Sequence, residues 1–122
     1  MKPPYTYIET DPTGKNPNES GSKLDAGKVC PSLIIEGMAR ALWGVAEVAT
    51  FGAKKYSKDG WISVPDGINR YTDAMDRHRL KETIEGPIDS DSGLMHAAHL
   101  AWGALARLEL MLREEAKRGG TV

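Results

Sequence analysis

At 122 residues and 40% hydrophobic, the chain is the size of one ordinary domain, with enough apolar material for a core and too little length for two domains. Its 16 Lys plus Arg nearly cancel 17 Asp plus Glu, giving a formal charge of -1 and no global basic field to hold a nucleic-acid duplex. No apolar run approaches the ~20 residues of a membrane span, the lone Cys30 cannot form an internal disulfide, and MKPPYTYIET lacks the features of a signal peptide. The expectation is a cytoplasmic protein whose partner is neither a nucleic-acid polymer nor a membrane.

In chain order, residues 1–22 are rich in Pro, Gly, Asn and Ser, too poor in apolar side chains to order themselves, and read as a flexible arm. Lys23-Leu24-Asp25-Ala26-Gly27-Lys28 follows as a polar loop with two cations around a glycine. Residues 23–118 read as the folded domain and 119–122 as a tail.

The spacing of Leu33, Ile34, Met38, Ala41, Leu42, Val45, Val48 and Ala49 predicts a first helix from about Ser32 to Phe51, capped by Ser32 and ended by Gly52. Breakers Asp59-Gly60 and Pro65-Asp66-Gly67 then bound a loop that carries Trp61. Ile68, Tyr71, Met75 and His78 or Arg79 mark a charged second helix from about Asp66 to Ile84, stopped by Gly86-Pro87. Asp89-Ser90-Asp91-Ser92 offers caps for a third helix reaching about Lys117, with Leu94, Ala98, Trp102, Leu105, Leu108 and Leu112 as its buried stripe. No segment alternates with period two. The expected fold is all-α, a bundle of three main helices completed by a second subunit as a homodimer or homotetramer, since three helices alone close a bundle poorly.

Three groups of residues carry candidate chemistry. Glu47 sits beside Val48 and Ala49, where a divalent cation would offset the desolvation of a carboxylate; a solvated helix edge is the plainer account. Asp73 and Asp76 share one helical face and can grip one hard cation or bridge two, although charged helices produce such pairs by chance. His96 and His99 also share a face, after the acids Asp89 and Asp91; imidazole suits a transition metal better than Mg2+, while helix capping is the better account of Asp91 and hydrogen-bonded core-edge histidines are the plainer account of the pair. Lys28, Lys54, Lys55 and Arg77 could hold a triphosphate, and Trp61 could stack on a base or cover the core. Cys30 lacks an activating neighbour and reads as structural.

Taken together and in order, Lys23-x-Asp25-x-Gly27-Lys28, Phe51-Gly52-Ala53-Lys54-Lys55-Tyr56 with Trp61, Arg70-Tyr71-x-Asp73-Ala74-x-x-Arg77-His78, and Asp89-x-Asp91-Ser92-Gly93-x-x-His96-x-x-His99 resemble the phage dATP/dGTP diphosphohydrolase family over about residues 23–112. That family looks like a branch of the MazG-type all-α pyrophosphohydrolases, which hold Mg2+ or Mn2+ on Glu-x-x-Glu and Glu-x-x-Asp helices. The resemblance implies hydrolysis of dATP or dGTP to the monophosphate and pyrophosphate, in the host cytoplasm if the gene is a phage's. It implies metal ligands among Glu47, Asp73, Asp76, Asp91, His96 and His99, with Glu47, Asp73 and Asp76 as the catalytic acids. Lys28, Lys54, Lys55, Trp61, Arg77 and His78 would contact substrate. Gly44-Val45-Ala46-Glu47 keeps only the second acid of the MazG motif, so the aspartate pair and the histidine segment both stay open as the later ligands. Two rival readings are an HD-type phosphohydrolase, which the absence of a His-Asp dipeptide counts against, and a non-catalytic helical interaction protein.

Overall fold

The computed structural model describes residues 8–119. Residues 1–7 of the arm and 120–122 of the tail lie outside the described residues. The described residues form four α-helices and one 3-10 turn: α1 (Ser32–Ile35), α2 (Ala39–Lys55), the turn Gly60–Ser63, α3 (Gly67–Glu85) and α4 (His96–Lys117). The only β pairing among the described residues is an isolated antiparallel bridge between Ile88 and Met95. The fold is all-α, as periodicity indicated. No described helix is long and apolar enough to cross a membrane.

Three helix boundaries differ from the sequence expectation. The first helix is broken: α1 ends at Ile35, and Met38 leaves helical geometry at φ -126° and ψ 32° before α2 begins. A Cβ on Gly37 would lie 2.5 Å from the Leu33 carbonyl oxygen, so the chain folds more tightly there than a side chain allows. Gly52 does not end the helix, which runs on to Lys55, where two lysines face the negative end of the helix dipole. The third helix starts at His96, later than the Asp and Ser residues suggested, and no side chain caps it. Asp89 and Ser92 bond each other inside the preceding loop instead, which removes them as caps.

The antiparallel pair α3 and α4 forms the body of the molecule. Its seam depends on a close approach, because α3 is largely charged and brings few large apolar groups. Gly103 lies against Met75, where a Cβ would sit 3.3 Å from the Met75 Cβ, and Gly67 lies against Leu110. Arg107 donates through Nε to Thr72 Oγ1 at 2.9 Å across the same seam. Trp102 receives Tyr71 and Trp61 edge-on, with ring centroids 5.5 and 5.8 Å away, and the Tyr71 hydroxyl donates to the Trp61 carbonyl.

Helix α2 crosses α4, with Gly44 beside Ala98. Between them lies an open apolar groove of about 440 Å³ lined by residues including Val45, Ala49, Trp61, Trp102, Leu105 and Leu108. Leu105 and Leu108, expected in a buried stripe, are half exposed because they line this groove and turn away from α3. Leu33, Ile34, Ile35, Met38 and Trp43 are also exposed, and Val48 and Ala106 are the only buried hydrophobic side chains among the described residues.

Ahead of the helices, the described part of the arm is a run of turns organised by Asp11. Its carboxylate accepts hydrogen bonds from the Thr13 hydroxyl and amide and from the Lys23 amide, and the Thr13 and Lys23 bonds hold its pKa down at about 2.

Candidate functional site

The loop from Gly86 to Met95 turns the chain from α3 into α4. Gly86, at φ +100°, ends α3 in a conformation that favours glycine, as its place before Pro87 suggested. Gly93, at φ +74°, closes the loop by donating its amide to the Asp89 carbonyl, while the Asp89 amide donates to the Leu94 carbonyl and the His96 amide to Pro87. These bonds turn the Asp89 side chain inward, beside the first turn of α4 and the last third of α3.

Three ligand-type groups converge there. Asp89, His78 from α3 and His96 from α4 each place one nitrogen or oxygen within 4.8 Å of the others'. The Nδ1 atoms of His78 and His96 lie 2.9 Å apart. His96 has no exposed surface, and Asp89 is 6% exposed. His99 adds a second layer: its ring stacks on His78 at 4.4 Å with the planes 6° apart, and its Nε2 is 2.7 Å from Ser92 Oγ and 3.5 Å from Asp89 Oδ2.

Hydrogen bonding fixes part of the proton arrangement. Ser92 donates both its amide and its hydroxyl to Asp89 Oδ2, at 3.1 and 2.7 Å. A hydroxyl has one proton, so with that proton on Asp89 the Ser92 oxygen accepts from His99 Nε2–H. Burial pushes the Asp89 carboxyl upward, but the two Ser92 bonds and the neighbouring imidazoles outweigh it and leave the pKa below the ordinary value. Burial lowers the pKa of both His78 and His99, and the like charge of the adjacent imidazoles lowers them further. The carboxylate of Asp89 is thus favoured in its charged form and the imidazoles of His78 and His99 in their neutral form, and carboxylate and imidazole are donor types able to ligate a metal ion.

The remaining sequence-derived candidates stand outside this convergent group, although Lys55 and Asp91 are close enough to act electrostatically on His99. Glu47, Asp73 and Asp76 are exposed, and none joins a convergent ligand group among the described residues. They lie on α2 and α3, which both pack against α4. Asp91 is not a helix cap: it is exposed and pairs with Lys55 at 2.9 Å, which raises the Lys55 pKa. Lys55 also stands over the rings of Phe51 and Tyr56. Lys54 and Arg77 are exposed, and Lys28 reaches Glu9 at 4.0 Å. Trp61 belongs to the Tyr71 and Trp102 cluster, with the Arg113 guanidinium 6.0 Å above its ring. Cys30 is exposed.

The residue that sequence reasoning underused is Asp89. It stands two positions before Asp91 with the same chemistry, and only the fold of the loop tells them apart. Gly93, four residues later, was the available signal, since a glycine there closes the turn around Asp89.

A family model described as dATP/dGTP diphosphohydrolase, N-terminal, matches residues 18–118, a span that contains the whole histidine cluster. The chain belongs to this family. A protein of Salmonella phage PMBT28 named dATP/dGTP diphosphohydrolase is 36% identical over 86 residues, which are 70% of this chain. The match covers 28% of that relative's length, so the chain corresponds to a fraction of the longer protein. No solved structure matches significantly.

Proposed function

We propose that this chain hydrolyses dATP and dGTP, or forms the part of a larger enzyme that does so, in a reaction dependent on a divalent metal. Family membership across residues 18–118 carries the reading, and the buried histidine and aspartate cluster inside that span supports it. The reaction is a deoxynucleoside triphosphate plus water giving the monophosphate plus pyrophosphate. The bond between the α-phosphorus and the bridging oxygen breaks, and the water oxygen takes its place.

The cluster fits a metal. His78, Asp89 and His96 would hold the ion, since two imidazole nitrogens, with Nδ1 atoms 2.9 Å apart, and one carboxylate oxygen are donors that a divalent transition metal takes. In this reading they displace Glu47, Asp73 and Asp76 as first choice. When bound, the ion neutralises phosphate charge and makes water more acidic. The protein's own contribution is to keep Asp89 ionised through Ser92, to exclude water from the inner face of His96, and to present Lys54 and Arg77 to phosphate oxygens. Lys55 joins them by exchanging Asp91 for a phosphate.

The donor set also favours a second reading. Histidine and aspartate ligands on helices are the ligand types of the HD-type phosphohydrolases, which would release triphosphate or phosphate. Incubation with dGTP or dATP and Mn2+, followed by separation of pyrophosphate, phosphate and triphosphate, decides between them. Pyrophosphate supports the first reading, triphosphate or phosphate supports the second, and no turnover with any metal overturns both.

The exposed apolar side chains of α1, α2 and the groove support self-association as part of the same proposal. Burying such surface contributes roughly 25 cal/mol per Å², and a second copy supplies a matching face by symmetry.

A further inference from the structure

Resting on the metal dependence proposed above, we infer that His78, Asp89 and His96 form a transition-metal site and that Glu85 sets the tautomer of His96. The site would take Mn2+, Fe2+, Co2+ or Zn2+ and discriminate against Mg2+.

Two nitrogens of the same kind face each other at 2.9 Å in a partly buried space. Such a contact needs either one proton between them or a cation that both lone pairs address. The environment of the opposite edge of His96 bears on the choice. His96 has no exposed surface, its Nε2 has no hydrogen-bond partner, and Glu85 Oε2 is 3.4 Å from that nitrogen. A lone pair on Nε2 would face a carboxylate across that gap, which is repulsive. A proton on Nε2 would face it favourably, and a small turn of the Glu85 side chain, 43% exposed at the end of α3, completes the bond. With its proton on Nε2, His96 presents the Nδ1 lone pair to the cluster. His78 does the same when its proton sits on Nε2, and a cation then takes the place of the proton between the two rings. A carboxylate that holds the far nitrogen of a metal-binding histidine is a recurring device, and its removal weakens metal binding by about 10–100-fold.

The donor types select the ion. Two imidazoles and one carboxylate suit first-row transition metals and Zn2+, whereas Mg2+ prefers oxygen ligands and retains its waters. Glu47, Asp73 and Asp76 offer oxygen alone, so they provide the contrasting prediction of Mg2+ binding.

The test is a Co2+ titration of the metal-free chain, followed by visible absorption, with calorimetric titrations of Mn2+, Zn2+ and Mg2+ alongside. The expected result is Co2+ bands typical of nitrogen ligation, and Mg2+ binding weaker than Mn2+ by on the order of 100-fold. His96→Gln and His78→Gln should each abolish the bands, with helix content by circular dichroism confirming that the variants fold. Glu85→Ala should weaken Co2+ binding about 10–100-fold, and Glu85→Gln, which keeps an acceptor oxygen, should recover most of it. Mg2+ binding as tight as Mn2+, or Co2+ bands that survive His96→Gln and His78→Gln, would overturn the site. Equal binding by Glu85→Ala and the parent chain would overturn the role of Glu85. Binding as expected without nucleotide hydrolysis would leave the site standing and remove the proposed activity, so the two failures are distinguishable.

Discussion

The two ends of the α3–α4 pair are built on opposite principles. At the Gly67 end, aromatic rings from Trp61, Tyr71 and Trp102 pack edge to face and Leu110 fills the space over Gly67. At the Glu85 end, the interior holds His78, Asp89, His96 and His99. Apolar burial holds the first end together with no further chemistry required. Placing an aspartate and three imidazoles in the second costs desolvation that two aliphatic side chains would avoid. A protein with so small a buried apolar core gains little stability from such a cluster, and that is the physical argument for its having a function. The two ends should therefore fail differently when altered.

The largest expected effect on activity is at the polar end. His96→Ala should lower the proposed metal-dependent hydrolysis of dGTP by at least about 100-fold, a floor set by the smaller losses seen when only an outer partner of a ligand is removed. Glu47→Gln, a change on an exposed acid, should cost far less in the same assay. A reversal of that order would move the metal back to the carboxylates of α2 and α3.

The aromatic end should show its largest effect in stability. Trp102→Ala removes the ring on which Trp61 and Tyr71 rest and should destabilise the fold by about 3 kcal/mol, toward the lower limit for such substitutions because Trp102 is partly exposed. Urea denaturation measures it. Metal affinity per folded molecule should be unchanged in this variant.

Ser92→Ala sharpens the contrast at smaller scale. It removes the hydroxyl that donates to Asp89 and meets His99, so metal affinity should fall about 10-fold by calorimetry while the urea midpoint moves little.

The smallest effect concerns the arm. Asp11 has a folded pKa of about 2 against an ordinary 3.8, so its contribution is fully present above pH 4 and is lost as pH falls toward 2. Amide exchange of residues 13–23 should accelerate over that window, and Asp11→Asn should accelerate it at neutral pH without altering α3 or α4.

The all-α fold was legible because apolar residues recur at helical spacing in all three long segments. Gly86-Pro87 marked the end of α3 for a reason the structure bears out, the positive φ of Gly86. The break at Gly37 was not legible, since periodicity continues across it and only the close contact with the Leu33 carbonyl shows why the helix stops. The histidines were legible as a helical pair, but the resemblance alone gave His78 a role, as a substrate contact, and nothing local links it to His96, 18 residues later in another helix. Asp89 and Asp91 carry the same letters, and the Asp and Ser run reads equally well as a helix cap. The loop bonds closed at Gly93 decide which of them faces inward, and apart from that glycine the run of letters does not show which acid the turn encloses.

Anomalous diffraction from crystals of the Mn2+-loaded chain tests the central claim most directly. The account predicts one strong peak within about 2.0–2.3 Å of ligand atoms of His78, Asp89 and His96. A peak among Glu47, Asp73 and Asp76, with none between the histidines, would contradict it.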